Sequence, residues 1–78
     1  MSTQPMPACE ALAADPARYM FKAYLAELKA ARIYEDRIST MHRLGGYLCA
    51  LLEAAVISCE EHKTLREEMQ DFVWGPRS

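Results

Sequence analysis

The chain has 78 residues, 51% of them hydrophobic, and nine Lys/Arg against eleven Asp/Glu for a net charge of −2. That length makes one domain, of marginal stability unless disulfides, a metal or a second chain reinforce it. No stretch reaches the ~20 apolar residues of a membrane span, because residues 44–59 are interrupted by Gly45, Gly46, Glu53 and Ser58. Residues 1–7 lack the basic and apolar regions of a secretory signal, so the expected location is cytoplasmic. Three cysteines, Cys9, Cys49 and Cys59, read as reduced thiols and not as a disulfide framework. The apolar residues are mostly Ala, Leu, Met and Ile, with Val only at 56 and 73, a balance that predicts an all-α fold.

In chain order, residues 1–14 read as a flexible N-terminal tail with room for a short helix at 8–14. A single helical domain then spans 15–75, and 76–78 read as a disordered C-terminus. Asp15-Pro16 is a helix start, with Asp15 as N-cap and Pro16 at the first helical position. No Gly or Pro follows until Gly45, so the first helix is expected to run to 37–43. Its apolar arc is Met20, Tyr24, Leu28, Ala31 and Ile38, opposite a basic stripe of Arg18, Lys22, Lys29 and Arg32.

Gly45-Gly46 reads as a turn or strong kink, since each Gly inside a helix costs about 1 kcal/mol relative to Ala. A heptad register nevertheless crosses the pair through Met41, Leu44, Leu48, Leu51 and Ala55, and resumes at Leu65, Met69 and Phe72. It therefore permits a continuous helix. The second helix is expected to begin at Ser39 or after Gly46. Ser58 with Glu61 forms a capping box, which favours a break at 55–58 over one helix from 47 to 74. Gly75-Pro76 stops the last helix after Trp74.

The expected architecture is a helical hairpin or three-helix arrangement, completed as a helical-bundle homodimer. Residues 16–46 carry six bases against three acids, and residues 47–74 carry two against six, which favours antiparallel packing.

Candidate chemistry is sparse. Cys59 and His62 lie three apart, with Cys49 and His42 upstream, but the spacing matches no zinc motif. The carboxylates Glu53, Glu60, Glu61, Glu67, Glu68 and Asp71 lack the Glu-x-x-His pairing of bundle metal sites. Ser39 or Ser58 with His42 or His62 lacks an oxyanion hole and an orienting third group. No phosphate loop is present. Neither an enzyme nor a cofactor is expected.

The leading expectation is a small acidic accessory protein, of bacterial or mobile-element type, that binds another protein as adaptor or inhibitor. Its expected dimer or partner interface is Tyr24, Leu28, Met41, Leu44, Leu48, Leu51, Leu65, Met69, Phe72 and Trp74, with acidic residues 60–71 providing charge complementarity. The alternative is nucleic-acid binding through the basic stripe, disfavoured because the last helix is acidic and repels phosphate.

Overall fold

The computed structural model describes residues 5–75. It is all-helical: α1 spans Pro7–Ala13, a 3₁₀ turn Pro16–Arg18, α2 Tyr19–Ala30, α3 Tyr34–Glu53 and α4 Cys59–Trp74. The segment 76–78, and residues 1–4 of the expected tail, lie outside the described residues. No helix is long and apolar enough to cross a membrane among the described residues.

Each helix packs on its neighbours in a closed ring, α1 on α2, α2 on α3, α3 on α4, and α4 back on α1. Phe21, Leu28, Leu44, Leu48, Met69 and Cys9 are fully buried at its centre. One chain thus closes a core that a hairpin would have left open. The expected hairpin or three-helix protomer is corrected to four helices among the described residues, packed around a core closed within one chain.

The fourth helix is α1, the short helix for which the expected tail left room at 8–14, and it belongs to the core. Met6, Cys9 and Ala13 are all buried. Seven residues do not hold a helix unaided, and Met6 supplies no side-chain cap. The cap comes from α4: the Glu68 carboxylate accepts from the Ala8 and Cys9 backbone amides, each at 2.9 Å. An anion at a helix N-terminus satisfies orphan donors and offsets the helix dipole. Lys29 of α2 also pairs with Glu10.

Asp15 caps as expected, accepting from Ala17 N at 2.9 Å, but α2 stops at Ala30 and not at 37–43. Ala31 and Ile33 are extended, and Arg37 holds the bend by donating from Nε to the Ala31 carbonyl at 3.2 Å. The buried face of α2 is Phe21, Leu25 and Leu28, displaced from the expected arc, and Met20 is exposed.

The expected turn or kink at Gly45-Gly46 is corrected: both lie within α3, as the heptad register permitted, and that helix begins at Tyr34, not at Ser39 or after Gly46. A Cβ built on either meets nothing within 4 Å, so packing demands glycine at neither. The break after α3 falls where the capping box placed it. Val56 N donates to Leu51 O and Ala55 N to Leu52 O, the paired bonds of a Schellman ending with Ala55 at φ +60°. Ser58 Oγ then accepts from Glu61 N at 3.1 Å, and Glu61 Oε1 from Ser58 N at 2.8 Å. Gly75 ends α4, donating its N–H to Asp71 O.

Candidate functional site

α1 and α4 run antiparallel: α1 begins beside Glu68 and ends beside the start of α4. On the outer side of this pair, Ala8, Ala11 and Leu12 of α1 line one wall at i, i+3, i+4 spacing, and the extended Asp15 beyond the end of the helix continues it. Glu60, Glu61 and Thr64 of α4 line the facing wall, backed by Leu65, with Ile57 and Ser58 ahead of the helix at one end. Between them lies an open groove of about 490 Å³. Ile57 and Leu65 are buried at its floor and Leu12 is half-buried. Among the described residues its charged groups are all carboxylates: Asp15, Glu60 and Glu61. Asp15 and Glu61 are fixed by their caps, and Glu60 is exposed. A helix-lined apolar trough with a rim of one sign is a surface suited to binding a helix.

The expected interface residues are placed differently. Leu28, Leu44, Leu48, Leu51, Leu65, Met69 and Phe72 are all buried in the chain's own core. The heptad that marked them as an intermolecular seam is the seam between this chain's helices. Tyr24 and Met41 are half-buried against the same core, and Tyr24 meets Tyr47 edge-on at 6.4 Å. Trp74 alone of the ten is exposed, and its indole Nε1 donates to Tyr34 OH at 2.7 Å.

The acidic series 60–71 divides. Glu68 and Glu61 hold helix ends, and Glu60 and Glu61 line the groove. The basic stripe divides too. Lys29 pairs with Glu10, while Arg18 is half-buried with its Nε shut away from solvent and from any hydrogen-bond partner. Lys22 and Arg32 are exposed. Arg43, from the next helix, pairs with Glu27 at 3.3 Å.

Of the thiol and imidazole candidates, Cys49 Sγ and His62 Nε2 come within 4.0 Å. No three His, Cys, Asp or Glu side chains gather as a metal-binding group among the described residues. Cys9 is the buried thiol. Desolvation first, then the neighbouring Glu68 carboxylate, push its pKa far above the ordinary value of 9.0. It is a neutral packing group and not a nucleophile.

Sequence reasoning missed the α1 ridge because two prolines in the first seven residues suggested a tail. The i, i+3, i+4 spacing of Ala8, Ala11 and Leu12 was the available signal. Searches of the chain against protein families, curated proteins and solved structures find no match.

Proposed function

We propose that this protein is a non-enzymatic, cytoplasmic protein-interaction module, acting as an adaptor or as an inhibitor that occupies a surface of a regulator or enzyme. The supporting observation is the α1–α4 groove, with its apolar floor and a rim of Asp15, Glu60 and Glu61. Affinity capture from source cells by wild-type protein and by Ala11→Arg tests it. Ala11 is exposed on α1 and Arg is a good helix former, so the variant fills the groove and keeps the fold. A partner captured by wild type and lost with Ala11→Arg is the expected result. Capture equal for both would reject the groove as the binding surface.

The proposal includes a homodimer, with a contact relocated from the heptad seam. Ile33, Tyr34 and Trp74 are 55%, 56% and 54% exposed. The Trp74–Tyr34 hydrogen bond joins the α2–α3 bend to the end of α4, giving an aromatic step for a second copy to cover. Sedimentation should show a dimer that Trp74→Ala weakens; a monomer at all concentrations rules it out.

A further inference from the structure

The groove also constrains its occupant, and this inference rests on the reading just given. The N-terminus of α4 opens on it, which would ordinarily attract an anion. Here Ser58 Oγ already takes the Glu61 amide, and Glu60 and Glu61 place two carboxylates in the first turn. Asp15 adds a third across the groove, with no Lys or Arg lining it among the described residues. A negatively charged ligand is therefore repelled.

The shape is equally restrictive. Two antiparallel helix walls, Ala8, Ala11 and Leu12 against Glu60, Glu61 and Thr64, leave a trough between them, with the small Ala8 and Ala11 on one wall and Thr64 on the other. Small side chains let another backbone approach closely, and a trough between helices accepts a third helix ridge-into-groove. The seven residues of α1 set its length at roughly 10 Å, about two turns. We propose that the groove binds a short amphipathic helix of another protein, with an aliphatic i, i+4 pair entering above Leu12 and Ile57 and Lys or Arg flanking it to meet Asp15, Glu60 and Glu61. Its contact area is below that of a standard interface, so binding is transient and steered by charge.

The rim can be neutralised without touching the caps. Asp15→Asn keeps an N-cap residue, Glu61→Gln keeps the capping box, and Glu60→Gln keeps side-chain length. The probe is a labelled synthetic helix of about fourteen residues, with Leu at i, i+4 and Lys on its flanks, followed by anisotropy. A second peptide carries Glu in place of Lys. The Lys peptide should bind, weaken about tenfold against the D15N/E60Q/E61Q protein, and weaken with added salt. The Glu peptide should not bind. Equal binding of both peptides, or undiminished binding to the neutralised protein, overturns the proposal. Salt-sensitive self-association lost in the neutralised protein would make the occupant a second copy, which also overturns it. If no peptide binds while cellular capture remains sensitive to Ala11→Arg, this inference falls and the broader function stands.

Discussion

Ala55 holds a φ of +60°, a left-handed conformation that costs a residue with a Cβ about 1–2 kcal/mol. Gly45 and Gly46 show the reverse mismatch, since they sit in a regular helix with open space where a Cβ would go. Exchanging the residue types should stabilise at both places. Gly45→Ala and Gly46→Ala are each expected to add about 0.5–1 kcal/mol, and Ala55→Gly a similar net amount after the entropy gained by the unfolded chain. Urea unfolding midpoints measure all three, and a lower midpoint for Ala55→Gly would contradict the Schellman assignment. Cys9 gives a pH signature. Burial raises its pKa in the fold, so the thiol contributes stability fully below its unfolded value and loses it as pH rises. Above about pH 9 only the unfolded chain ionises there, and stability should fall by up to ~1.4 kcal/mol per pH unit. Cys9→Ala should show a shallower fall over that range, whatever its stability at neutral pH.

Two element boundaries show what the sequence carried and what it did not. The start of α4 was legible because its signal is local: Ser58 and Glu61 satisfy each other across three residues. The end of α2 was not, because its stop is a side chain from the next helix. Arg37 donates to the Ala31 carbonyl and lies 5.4 Å over the Phe72 ring of α4. With neither Gly nor Pro in residues 17–44, the pattern there reads as one helix. Arg37→Ala should cost about 1–2 kcal/mol through lost hydrogen bonding and ring contact. Arg37→Lys should recover little, because an ammonium lacks the planar fork that serves both contacts; full recovery in thermal melts would show that only charge matters.

At the scale of the whole molecule, all-helical character was readable from composition, and the core residues Leu44, Leu48, Leu51, Leu65, Met69 and Phe72 from their register. Their use was misassigned because the helix that completes the ring went uncounted. The candidate site was hidden by the same omission, since half of the groove is α1. Nothing local announces that Glu68 caps a helix about sixty residues earlier. Deleting residues 1–14 should therefore do more than trim a tail. It removes Met6, Cys9 and Ala13 from the core, and thermal unfolding by circular dichroism is expected to lose its cooperative transition; an unchanged midpoint would return α1 to the status of an appendage.

The Glu68 cap also sets an order of events during synthesis. The amides it satisfies are made first, and their acceptor is made 59 and 60 residues later. At about 5–20 residues per second, the ribosome takes roughly 3–12 s to cover that distance. Through that interval α1 has neither its cap nor half of its packing surface, so it cannot persist as a helix. α1 is thus made before α4 yet secured only after it, and Met6 and Cys9 stay uncovered on the nascent chain until α4 has been made and released to pack against them.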